Sequence, residues 1–268
     1  MVRRNSFEID PESHPLAPAI IAFNRGNGWY RVVLGQPGRG VWIGLADLAS
    51  DRSEIDRRLS QLETAWGGHA GYAATSLIQQ VSHPLISLMA WCVLFGPDIP
   101  AIAPGSVWLR QHPHGSFDRL AISGDLFGSQ GSTMESADEA VAAGVGAMVV
   151  DSLSPLVGAI REVRKVGLTG LWHGVRDLVA RTFLMAGSAL GSVETEMSAA
   201  EAILTRAPDV IRATPRWHRD QTTGMWFSLR SVCCLAYTGV AGLYCDTCPL
   251  LDDDQVVHRL ASNVAGAS

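Results

Sequence analysis

Four of the five cysteines fall within sixteen residues: Cys233, Cys234, Cys245 and Cys248, with Pro249 directly after them. The spacing is Cys-Cys, ten residues, Cys, two residues, Cys. Thiols gathered this closely in one segment bind metal or form disulfides. Disulfides are the weakest reading, because five is an odd count and low for 268 residues. Zinc is a stronger candidate. Cys245-Asp246-Thr247-Cys248 has the spacing of one knuckle of a four-cysteine zinc site. The other half, Cys233-Cys234, has no spacer. Adjacent side chains diverge along an extended strand, so both reach one ion only if the backbone bends sharply. A binuclear [2Fe–2S] centre takes four cysteine ligands and offers two separate metals. The spacing therefore favours iron–sulfur and leaves zinc open.

The residues ahead of the cysteines are cationic and aromatic. From about residue 206 to 248 the chain carries Arg206, Arg212, Arg216, His218, Arg219 and Arg230, against Asp209 and Asp220 before Asp246. Trp217, Trp226, Phe227, Tyr237 and Tyr244 are interleaved. Singly, each aromatic reads as core and each arginine as solvated surface. Together, beside four thiols, they point to a site for anionic groups, with Arg216, Trp217, Arg219, Trp226 and Arg230 as candidate substrate contacts. Other chemistry is less marked. His112 and His114 are two apart with no carboxylate or cysteine cluster nearby and read as a turn. Cys92, in an apolar run, reads as a small core residue.

These groups must be held by a scaffold. Asp51 or Ser53 caps a helix to about Trp66, with Ile55, Leu59, Leu62 and Trp66 on its buried face. A second helix is expected over 69–81, then an interruption at Ser82-His83-Pro84 and an apolar helix over 85–95. Residues 19–23 read as one helical turn and 29–34 as a strand. Two more strands are expected over 106–111 and 116–122, with a polar loop over 124–136. Residues 140–150 read as helix or buried strand, and Ser152 or Ser154 starts a new helix to 166. A helix over 171–190 has Leu171, Val175, Leu178, Val179, Phe183 and Leu184 as its stripe, leaving Arg176, Asp177 and Arg181 mostly off it. Ser198 is expected to cap a short helix, and Asp252-Asp253-Asp254 a terminal one.

The fold class expected is α+β: a mostly helical single domain with a small central β section and a C-terminal cysteine-rich segment. Residues 1–205 are expected to be a helical and β scaffold that forms the ligand-binding wall, and 206–268 the C-terminal iron–sulfur segment, of one continuous domain. With 47% apolar and 18% charged residues the composition is that of a globular chain. The net charge of −5 argues against broad nucleic-acid binding. The apolar stretch 84–97 is too short to span a bilayer, and no signal peptide is evident. The expected location is cytoplasmic, with no transmembrane segment; peripheral membrane contact stays open.

The run Arg230-Ser231-Val232-Cys233-Cys234-Leu235, followed by Cys245-Asp246-Thr247-Cys248-Pro249-Leu250, resembles the C-terminal signature of ferric siderophore reductases of the FhuF type. Ser154-Pro155-Leu156 and Leu171-Trp172 are similar to weaker features of that family. The likeness is concentrated in residues 225–250, loosens over 150–225 and is faint before that. It implies a [2Fe–2S] cluster on Cys233, Cys234, Cys245 and Cys248. It also implies one-electron reduction of a ferric siderophore, releasing Fe(II) for iron assimilation. The resemblance assigns no siderophore-binding residue. With no flavin or NAD(P) fingerprint in the chain, electrons are expected from a separate ferredoxin or flavin reductase. Two other classes remain: a four-cysteine zinc-binding interaction module, and an iron–sulfur electron carrier or sensor without siderophore specificity.

Overall fold

The computed structural model describes residues 17–26, 30–35, 37–67, 69–95, 102–112, 116–123, 138–239 and 241–266. In order they form α1 (Ala17–Gly26), β1 (Arg31–Leu34), β2 (Trp42–Gly44), α2 (Leu45–Ser50), α3 (Arg52–Trp66), α4 (Ala70–Phe95), β3 (Val107–Gln111) and β4 (Phe117–Ile122). Then come α5 (Asp138–Arg164), α6 (Leu168–Leu190), α7 (Val193–Arg206), β5 (Arg216–Arg219), β6 (Trp226–Leu229) and α8 (Asp253–Gly266). The arrangement is α+β and mostly helical, as expected.

Local signals account for several ends. The Asp51 carboxylate accepts from the Ser53 and Glu54 amides at 3.0 and 3.1 Å, which starts α3. Asp252 does the same for α8 through the Gln255 amide at 2.7 Å. The buried face of α3 is Ile55, Arg58 and Leu59, whereas Trp66 is 48% exposed, contrary to the expected stripe. Arg58 buries its guanidinium over the Phe117 ring, 4.6 Å from the centroid, and pairs with Glu54 at 2.7 Å.

Four expected helix boundaries are corrected. α4 is one helix through Pro84 rather than two. Proline forfeits one N–H bond to the turn behind it, but Val81, Ser82, Leu85 and Ile86 are buried around it and keep the axis intact. α5 likewise runs through Pro155 instead of starting near Ser152 or Ser154. Ser154 Oγ bonds back to the Val150 carbonyl at 2.7 Å, and Ser152 Oγ reaches the Ile102 carbonyl at 3.0 Å, so neither hydroxyl caps. Ser198 lies inside α7, bonded back to Glu194 at 2.9 Å. α1 is also longer than the single turn expected. The loop at 124–136 and His114 lie outside the described residues.

The sheet has the order β1-β4-β3-β2, with β1 parallel to β4 and the other pairs antiparallel. The main core gathers apolar faces of α1–α7 against it; Phe23, Leu48, Leu77, Ile160, Val175 and Phe183 are fully buried. Arg164 at the end of α5 ties that helix to α3 through Asp56 and Glu63. β5 and β6 form a separate antiparallel hairpin that the sequence reading missed. Phe227 and Leu229 of β6 pack with Val256 and Val257 of α8 in a second, smaller cluster. Among the described helices, Val141–Arg164 is long and apolar enough by length and composition to cross a membrane; half of its most apolar window is buried in the fold.

The α6–α7 junction buries Glu196, 2% exposed, with Oε2 lacking a partner. Burial pushes its carboxyl up to about 7, against a bond from Ser192. The folded state then keeps a proton that the unfolded chain releases above about pH 4.5, so stability is greatest in acid and falls as pH rises through 7. Glu196→Gln is expected to remove that fall. Urea midpoints at pH 5 and 8 should show wild type losing up to about 3 kcal/mol relative to the variant. Parallel pH profiles would show that the carboxyl titrates alike in both states.

Candidate metal centre

The cysteine segment is fastened to α6 by one carboxylate. Asp177 accepts from the Ser231 amide at 2.9 Å, the Ser231 hydroxyl at 2.6 Å and the Val232 amide at 3.3 Å. Arg176 also donates to the Ser231 hydroxyl. The two residues immediately before Cys233 are thereby fixed in place. After Cys234 the chain turns at Leu235, whose φ of +65° is the left-handed region seldom used by branched side chains. That turn brings the Leu235 amide to 3.3 Å from Cys233 Sγ. The scaffold closes in from the other side. A Cβ on Gly239 would sit 2.5 Å from the Trp66 carbonyl oxygen, so only glycine lets the segment approach the end of α3. Leu235 in turn rests over Gly71 at the start of α4.

The bend sends the adjacent cysteines to different partners. Cys233 Sγ lies 3.9 Å from Cys248 Sγ, and Cys234 Sγ lies 3.6 Å from Cys245 Sγ. Metal–sulfur bonds of about 2.3 Å at tetrahedral angles put two sulfurs on one ion about 3.8 Å apart. Each pair therefore has the separation of two thiolates sharing a metal. Among the described residues, no three His, Cys, Asp or Glu side chains form a group that could hold one ion. The Cys245–Cys248 knuckle is closed by the Cys248 amide on the Cys245 carbonyl at 3.0 Å. Cys234 and Cys248 are buried, while Cys233 and Cys245 are half-buried, so each pair joins one buried and one half-buried residue.

Within the inner pair the hydrogen bond to Cys245 pushes the Cys234 thiol down to about 5; burial opposes this and Arg230 assists. The same bond, then burial, pushes Cys245 up. Burial raises Cys233, partly offset by the Leu235 amide. Cys92 sits in α4 fully buried, its thiol pushed up to about 12, as befits a core residue.

Of the candidate substrate contacts, Arg230 stands beside the quartet. The other four are engaged elsewhere. Arg216 pairs with Asp253 at 2.8 Å, and Trp217 donates to Glu201 at 2.6 Å. Arg219 lies over the Trp226 ring, 5.8 Å from its centroid, and donates to the Gly224 carbonyl. The Arg216 and Trp217 contacts brace the hairpin against α8 and α7, whereas those of Arg219 stay within it. Arg212 donates to the Ala207 carbonyl and pairs with Asp209. His112 closes the β3–β4 connection through its amide to Ser116. The sequence reading missed a recess of about 270 Å³ beside Arg230, walled by Tyr30, Trp66, Gln80, His83, Asp177 and Arg181 among others. One signal was visible: Asp177 and Arg181 are four apart, hence on one face of α6 and off its apolar stripe. No protein-family model matches the chain, and no curated protein matches it significantly.

Proposed function

We propose that Cys233, Cys234, Cys245 and Cys248 hold a [2Fe–2S] cluster and that the protein is a cytoplasmic ferric-siderophore reductase. The observation that carries this reading is the nested pairing, Cys233 with Cys248 and Cys234 with Cys245, at separations suited to one metal per pair. A two-metal centre uses both pairs as they stand. A single zinc ion would need all four sulfurs drawn together. When bound, the cluster supplies one electron at a time. The substrate is an Fe(III) chelate; one electron converts it to Fe(II), which hard oxygen donors hold far more weakly. No protein nucleophile or general acid is needed for that release.

The chain's own residues set the conditions. The Leu235 amide donates toward Cys233, and Arg230 places positive charge near Cys234 and Cys245; both stabilise charge on sulfur. Half-buried Cys233 and Cys245 leave an edge for electron exchange. The donor is a separate ferredoxin or flavin reductase.

Anaerobically prepared protein is expected to be reddish brown and to contain two irons and two acid-labile sulfides per chain. Once reduced, it should be reoxidised by a ferric siderophore with Fe(II) trapped in stoichiometric amount. A colourless protein carrying one zinc would replace this reading with the zinc-binding interaction module. A coloured protein that no ferric chelate reoxidises would instead be an electron carrier or sensor.

A further inference from the structure

The recess beside the quartet has an unusual charge arrangement. Arg181 from α6 and Arg230 from the cysteine segment both line it. The Arg181 guanidinium is pushed down first by burial and then by Arg230, with Cys245 and Asp246 opposing. Arg181 retains some exposed surface while lining the recess. The acid among the lining residues is Asp177, and its oxygens are occupied by Ser231 and Val232. His83 adds no charge at neutral pH, since burial, then Arg181, push it down to about 4. Two buried atoms on lining residues lack any partner: the donor Arg230 Nε and the acceptor Gln80 Oε1. Two guanidiniums lining one hollow, one of them with a buried donor that lacks an acceptor, are the features that an anionic oxygen group resolves.

Size narrows the ligand. About 270 Å³ lies below the 300–1,000 Å³ of pockets that enclose a drug-sized molecule. It is sized for a small polar group rather than for a whole large chelate. Arg230 is shared between the recess and the sulfurs, so a group held there keeps the rest of the molecule against the exposed edge of the quartet.

We infer that this recess binds a carboxylate arm of the ferric chelate through Arg181 and Arg230, making polycarboxylate chelates the substrate class in preference to neutral hydroxamates. The inference rests on the proposed reductase reading and adds the substrate class to it. Gallium(III) chelates test it without electron transfer, because gallium does not accept the electron. Calorimetry on the protein as purified should show tighter binding of gallium citrate than of a neutral gallium trishydroxamate. Arg181→Gln should weaken citrate binding roughly tenfold or more and narrow that preference, with Arg181→Lys intermediate because it keeps the charge and loses the fork. On unaltered protein, tricarballylate, which has the same three carboxylates and chelates iron poorly, should displace gallium citrate.

Equal affinity for both gallium chelates, a preference unmoved by Arg181→Gln, or no displacement by tricarballylate overturns the assignment. The two readings fail separately. Selective gallium citrate binding without reduction of any ferric chelate overturns the reductase and leaves the recess standing. Reduction of ferric chelates by a protein that shows no citrate preference overturns the recess alone.

Discussion

Cys234→Ser is expected to abolish the visible charge-transfer absorption and to leave the protein with little iron or sulfide. Cys234 is buried and faces Cys245 at 3.6 Å. A serine hydroxyl is a far weaker ligand at neutral pH, because its proton is not released there. The remaining Cys245 cannot hold an iron alone, so a two-metal centre fails as a unit. Cys233→Ser, Cys245→Ser and Cys248→Ser should behave alike. Cys92→Ser is the control: it puts a hydroxyl into the core at a cost of about 1–3 kcal/mol and leaves the spectrum unchanged. The measurement is absorbance per protein, with iron and sulfide assays, after anaerobic purification. Wild-type colour in Cys234→Ser would mean that the adjacent cysteines do not divide between two metals.

Asp177→Ala should loosen the centre without touching a sulfur. Three donors lose their acceptor together: the Ser231 amide, its hydroxyl and the Val232 amide. Hydrogen bonds to a charged acceptor contribute about 1.5–3 kcal/mol each and are not additive, so a local loss of about 2–4 kcal/mol is expected. It falls on the segment that enters Cys233, while the apolar stripe of α6, with Val175, Val179 and Phe183 fully buried, is untouched. Iron should therefore leave to a chelator roughly 10–100 times faster while helix content stays that of wild type. Asp177→Asn retains one acceptor oxygen and should lie between the two. Iron loss at the wild-type rate in Asp177→Ala would show that the segment is held by the scaffold at Trp66 and Gly71 instead.

Much of the scaffold was legible because short-range physics decides it. Asp51 caps α3 through atoms two and three residues away, and the alternating burial at the start of β3 follows from one buried face. Where tertiary contacts outweigh local signals, the reading failed. Pro84 and Pro155 are strong breakers locally, yet both helices continue because residues around them are packed into the core. The serines near Pro155 turned inward along their own helix or across to Ile102, which no local pattern specifies.

The cysteine spacing by itself offered two candidate half-sites, a Cys-x2-Cys knuckle and an adjacent pair whose side chains diverge on an extended backbone. It did not determine which sulfur meets which. That was decided by the Leu235 turn and by the grip of Asp177, Trp66 and Gly71, residues from α3, α4 and α6 more than fifty positions upstream. The cationic residues divide the same way. Sequence clustering gathered five aromatic and arginine candidates, but hydrogen bonds and ion pairs with Glu201, Gly224 and Asp253 occupy the hairpin's share of them. Only the fold brings Arg181, from a helix read as scaffold, to the same recess as Arg230, because a charge's partners are set by distance in space and not along the chain.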